Sequence, residues 1–182
     1  MEVLQAIKTR RSIRKYKIDP VDNQTLEMVL EAARWAPSWE NTQCWRFIVV
    51  RNAEIKSKLA DTLDGTNPAI DAVRKAPLVI VACAELGKSG YHDGVPATDK
   101  GDWFMFDVAL AMQNLALAAH SLGLATVLIG RFAAKEAAKI LEIPEGYCVV
   151  AMTPLGYPDQ VRAPRPRKEL SEIVFYDKFG TK

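Results

Sequence analysis

The sequence predicts an α+β domain of three layers, on three observations. Apolar runs of strand length alternate with segments of helical periodicity. No linker, low-complexity run or internal repeat separates them. The 182 residues, 49% apolar and 25% charged, suit one globular domain spanning 1–182.

Each element follows from local pattern. Val3, Leu4 and Ile7 share one face of a short first helix, which the basic stretch TRRSIRKY ends. Asp22 is placed to cap a second helix, where Leu26, Val29, Leu30 and Ala33 recur at helical spacing until Pro37 stops it. The runs FIVV (47–50) and LVIVACA (78–84) are continuously apolar and largely β-branched, so they read as buried strands. Helical segments at 55–63 and 69–75 lie between them. Residues 86–102, LGKSGYHDGVPATDKGD, are polar and glycine-rich, the mark of a long exposed loop able to cover a site. The segment 103–124 is apolar nearly all round and closes at Gly123. In so small a domain such a helix is either the central core element or a large subunit contact. A strand at ATVLI (125–129), a helix at 133–141, a strand at YCVVAMTPLG (147–156) and the tail RAPRPRKELSEIVFY complete the chain. Within that tail Leu170, Ile173, Val174 and Phe175 require burial.

Composition excludes several classes of function. A net charge of +2 is too weak to argue for nucleic acid, so no nucleic-acid partner is expected. The start, MEVLQAIKTRRS, lacks the apolar core of a signal peptide, and no run approaches membrane-spanning length. Cys44, Cys83 and Cys148 share no metal-like spacing and leave one thiol over in any disulfide scheme, which fits a reducing cytoplasm and no metal site.

Three places carry unusual chemistry. In RRSIRKY, Arg10, Arg11, Ser12 and Arg14 gather guanidiniums around a hydroxyl, a set that matches phosphate oxygens in geometry and charge. A solvated basic face is the plainer reading. In RPRK, prolines hold the chain extended, so Arg165 and Arg167 point the same way and can reach one anion; a basic tail for partner binding is the alternative. The stretch PSWENTQCW, 37–45, has more hydrogen-bonding capacity than a turn needs. Ser38, Asn41 and Gln43 could read a planar heterocycle whose flat face rests on Trp39, while Trp45 belongs to the core.

In this order RRSIRKY, AARWAPSWENTQCWRFIVV, ALAMQNLALAAHSLGLATVLIGRF and PLGYP followed by RPRK resemble the nitroreductase family of flavin-dependent oxidoreductases, in its short single-domain form. The likeness covers nearly the whole chain. It implies a mixed central sheet flanked by helices and an intertwined homodimer with FMN at the interface. It also implies that the C-terminal segment, about 165–182, crosses to the partner subunit.

Residue by residue, the resemblance implies that Arg10, Arg11, Ser12 and Arg14 hold the flavin phosphate and reach the ring, with Arg165 and Arg167 also at the phosphate. Pro37, Ser38, Trp39 and Asn41 match the stretch lent to the partner's ring, and Gln43 belongs to the same signature. Ile129, Gly130 and Arg131 match a turn whose backbone approaches the reactive edge, and Asn67 is a candidate for the ring amide. Cys44 stands where the family usually has Pro, Trp39 where it has a small residue, and Arg131 where it often has a smaller one. The implied activity passes hydride from NADH or NADPH through FMN to nitroaromatics, quinones or similar acceptors, with Arg14 beside the pyrimidine edge and no side-chain acid or base required. Within the same fold the alternatives are dehalogenation, flavin breakdown, or FMN storage and sensing without turnover. His92 and His120 read as uninvolved surface and packing residues.

Overall fold

In the computed structural model, which describes residues 1–181, the longest apolar run forms the centre of the sheet. Strand β2 (Leu78–Glu85) pairs antiparallel with β1 (Trp45–Val50) on one side and β6 (Tyr147–Gly156) on the other. Strand β5 (Ala125–Thr126) lies outside β6, giving the order β1-β2-β6-β5. A parallel bridge between Ser12 and Thr126 extends the outer edge of this sheet.

Alternation along β2 divides the core in two. Leu78, Ile80, Ala82 and Ala84 face a cluster with helices α2 (Asn23–Arg34) and α5 (Phe104–Ser121), through Leu26, Val29, Met112 and Leu115. Val79, Val81 and Cys83 face the opposite cluster, with α3 (Ala53–Asp61), α4 (Ile70–Lys75) and α6 (Ala134–Ile140), through Leu59, Val73 and Ala137. The result is a sheet between two helical layers, as the strand and helix patterns predict. Asp22 caps α2 by accepting from the Thr25 N–H at 2.8 Å.

Four details depart from the sequence reading, each for a physical reason. The apolar run 125–129 leaves the ladder after Thr126 and touches it again only at the Ile129–Met152 bridge, although Val127 and Ile129 remain buried. The pattern there reports burial rather than pairing. The loop 86–102 contains a hairpin, β3 (Tyr91–His92) and β4 (Val95–Pro96), turned by Asp93 and Gly94 at φ 49° and 78°. Asp-Gly is a strong short-range signal for that turn. In α1 (Val3–Thr9) only Ala6 is buried, so the apolar face of Val3, Leu4 and Ile7 is uncovered. In the tail, the short helix α7 (Leu170–Ile173) likewise leaves Leu170 73% exposed and Ile173 56% exposed. One chain does not supply the cover that these side chains require. Lys182, the last residue of the segment expected to cross, lies outside the described residues.

Candidate functional site

After Arg10 the chain becomes extended, and this sets the site. Ile13 donates its N–H to the Thr126 carbonyl at 3.0 Å, which lays residues 12–14 along the edge of β5. Ile13 is buried there, while its neighbours Arg10, Arg11, Ser12 and Arg14 line one cleft. Arg11 folds back, and its Nη1 donates to the carbonyls of Lys8 and Arg10 at 2.7 and 2.9 Å, closing the end of α1.

The cleft, about 450 Å³, receives both ends of the polypeptide. Arg165 and Arg167 line it together with Arg10, Arg11, Ser12 and Arg14. Lys8 and Arg162 line it as well, and among the described residues no carboxylate does. Among the described residues, none of these cations forms a salt bridge. Burial, and then the charges of Arg11 and Arg167, hold the Arg10 guanidinium below the ordinary arginine value. Such a gathering of positive charge, with Arg10, Arg11 and Arg14 half-buried, fits an anion.

Arg14 also lines a second recess, of about 260 Å³, with Thr66, Asn67, Ile129, Gly130 and Arg131. Its Nε is buried and, among the described residues, has no hydrogen-bond partner. Such an orphaned donor at the junction of two cavities fits a ligand that reaches from one into the other. Asn67 is held by the N–H of Ala69, which donates to its Oδ1 at 3.0 Å, while its Nδ2 donates to the Arg131 carbonyl at 3.4 Å. Arg131 turns its guanidinium to Asp64, 3.2 Å away, so it presents backbone rather than charge to the recess.

The aromatic turn lies elsewhere. Residues 37–43 line neither of these two cavities of their own chain. A 3₁₀ turn at Trp39–Asn41 shapes the stretch, and Glu40, Asn41 and Gln43 all have positive φ, at 43°, 58° and 48°. Ser38 Oγ accepts from the Gln43 N–H at 3.0 Å, and Gln43 Nε2 reaches Asn41 Oδ1 at 3.3 Å. Pro37, Asn41 and Gln43 are exposed, and the Trp39 ring packs against Trp103 with centroids 5.3 Å apart. Trp45 is buried in the core.

The nitroreductase family model matches residues 7–157, a span that includes the arginine cluster, the aromatic turn and the second recess. The chain belongs to the nitroreductase family. A homologue of this nitroreductase-family chain in Methanothermobacter thermautotrophicus, provisionally named an NADH dehydrogenase/NAD(P)H nitroreductase, is 37% identical over 162 residues, covering 87% of this chain and 78% of its own. FMN reductase (NAD(P)H) of Bacillus subtilis is 32% identical over 177 residues, 91% of this chain and 70% of that protein. A solved nitroreductase family protein from Clostridium novyi NT superposes with a TM-score of 0.80 at 33% identity, over 100% of this chain and 97% of that one.

The sequence reading did not single out Lys8, Arg162, Thr66 or Asp107. Arg162 was legible, standing three residues before Arg165 in the same basic stretch. Asp107 was not, for a lone carboxylate in an apolar helix shows no pattern until the turn folds against it.

Proposed function

We propose that this nitroreductase-family protein is an FMN-dependent oxidoreductase that uses NADH or NADPH to reduce nitroaromatics, quinones or related flat acceptors. One observation supports this above the rest: cations from opposite ends of the chain converge on one cleft that, among the described residues, lacks a carboxylate and shares Arg14 with an adjoining recess. Arg10, Arg165 and Arg167 would hold the phosphate, with Ser12 adding a hydroxyl. Arg14 would span phosphate and ring, and its unpartnered Nε would donate to the flavin. Asn67 and the backbone of 129–131 would border the ring. Bound flavin supplies the redox chemistry between nicotinamide and acceptor. The arginines contribute charge placed in advance where negative charge grows.

The protein works as a homodimer in this reading. Uncovered apolar side chains on α1, at the start of α5 (Met105 and Phe106) and in the tail (Leu170, Ile173 and Phe179) supply the surface for it. Pro37, Ser38, Trp39, Asn41 and Gln43, which line neither cavity of their own chain, would serve the partner's flavin, and the tail would cross to the partner body. A cytoplasmic setting suits the three free cysteines.

The test is anaerobic addition of NADH, then NADPH, to the FMN-loaded protein, followed by an acceptor panel. Rapid loss of the oxidised flavin absorbance, restored by a quinone or nitroaromatic, is expected. A yellow protein that neither nicotinamide bleaches would be a flavin store, not this enzyme.

A further inference from the structure

We infer that Asp107 is a positioning residue: it locks the 37–44 turn, and with it Trp39, in the shape required beside the flavin ring, and couples that turn to the 86–102 segment. The role at the ring rests on the reading above; the lock itself does not. Asp107 lies in the first turn of α5 and is 1% exposed. Its two oxygens accept from the Trp39 backbone N–H at 3.1 Å each. The buried Ser89 hydroxyl donates to Oδ2 at 2.7 Å, and the Cys44 thiol lies 3.7 Å from the same atom. No salt bridge reaches Asp107 among the described residues, so neutral donors alone meet its charge. A buried carboxylate so placed is tolerated only while those donors stay docked. Docking is therefore cooperative: the turn supplies Trp39 and Cys44, and the loop supplies Ser89.

The turn requires such a clamp. Three of its residues, Glu40, Asn41 and Gln43, adopt left-handed backbone conformations that side chains resist, and such conformations persist only where the surroundings over-determine them. The loop adds one further tie, His92 Nε2 at 3.3 Å from Glu40 Oε1, and Trp103, which follows the loop at the start of α5, packs against the Trp39 ring with centroids 5.3 Å apart. Cys44 is kept as a thiol donor, pushed up to about 12 by burial and then by the Asp107 charge. A shift of the loop at Ser89 is thus transmitted to Trp39 through one carboxylate. By this route the 86–102 segment would set which acceptors fit.

Two variants of the holoprotein test this. Asp107→Asn turns an NH₂ toward groups that are themselves donors, and Ser89→Ala removes one hydroxyl while keeping the charge. In Asp107→Asn, amide hydrogen exchange of peptide 37–44 is expected to quicken about ten-fold or more, as for a lost charge-assisted hydrogen bond. The KM for a flat nitroaromatic should rise about five-fold or more, with kcat falling less. Ser89→Ala should shift both readouts the same way by smaller amounts. Unchanged 37–44 exchange in both variants overturns the lock, with or without flavin. Faster exchange with KM and kcat falling in equal proportion overturns the positioning role. A wild-type protein that binds no flavin overturns the reading beneath that role, and the exchange data then judge the lock alone.

Discussion

Each guanidinium in the cleft has a different local engagement, and this decides what its loss should do. Among the described residues Arg10 donates to no carbonyl, and it feels the repulsion of Arg11 and Arg167, whereas Arg11 already donates to the carbonyls of Lys8 and Arg10. Arg10→Ala should therefore weaken FMN binding by about 1.5–3 kcal/mol, the range for hydrogen bonds to charged groups, and Arg11→Ala by less. Calorimetric titration of the two variants checks the ranking, and equal losses would contradict it. His120, bonded to the Thr9 hydroxyl at 2.8 Å, is held below the ordinary histidine value first by burial and then by Arg10 and Arg11. A bound phosphate would neutralise that repulsion, so the histidine binds its proton more tightly in the complex. Binding then takes up protons: affinity gains as pH falls through the value in the complex and levels off below the value in the free protein. The phosphate's own second ionisation, near about 6, acts the other way, so the quantity to measure is the difference between wild type and His120→Asn from about pH 7.5 to about 5. A difference that does not vary with pH would deny the coupling.

The regular elements were legible in the sequence because the strands are continuous apolar, largely β-branched runs and the helices repeat apolar residues at helical spacing. Leu78, Ile80, Ala82 and Ala84 separate from Val79, Val81 and Cys83 along β2, and Leu26, Val29 and Ala33 repeat along α2. RRSIRKY was legible as guanidiniums gathered around a hydroxyl, and RPRK through the alternation of an extended chain, which turns Arg165 and Arg167 the same way. The left-handed turn at Glu40, Asn41 and Gln43 was not, because the Asp107 carboxylate that takes the Trp39 N–H lies 68 residues along the chain. Helix α5, apolar almost all round, packs Val108, Ala111, Met112 and Leu115 into the sheet and carries Asp107 at its start. Leu115→Ala removes a fully buried side chain from that contact and should cost about 2–5 kcal/mol of stability. A urea midpoint that does not move would show that α5 is not the element that organises this face.

At the scale of the whole molecule, the chain leaves its apolar ends uncovered and its aromatic turn away from its own cleft, and the homodimer proposed above would answer both. The chain through Arg167 returns to its own Arg10, while the tail beyond it stands apolar and exposed. Ending the chain after Arg167 is thus expected to keep the cationic cleft and weaken the dimer, seen in sedimentation velocity as monomer at concentrations where the full chain is paired. Unchanged association would remove the tail from the interface. The account as a whole stands on a phosphate held jointly by the two ends of the chain. FMN and riboflavin, which differ in that phosphate, therefore give its most direct test when each is titrated into wild type, Arg10→Ala, Arg165→Ala and the double variant. The account predicts that FMN binding weakens in every variant, non-additively in the double, while riboflavin affinity stays the same. Equal losses for both flavins, or FMN binding indifferent to either arginine, would contradict it.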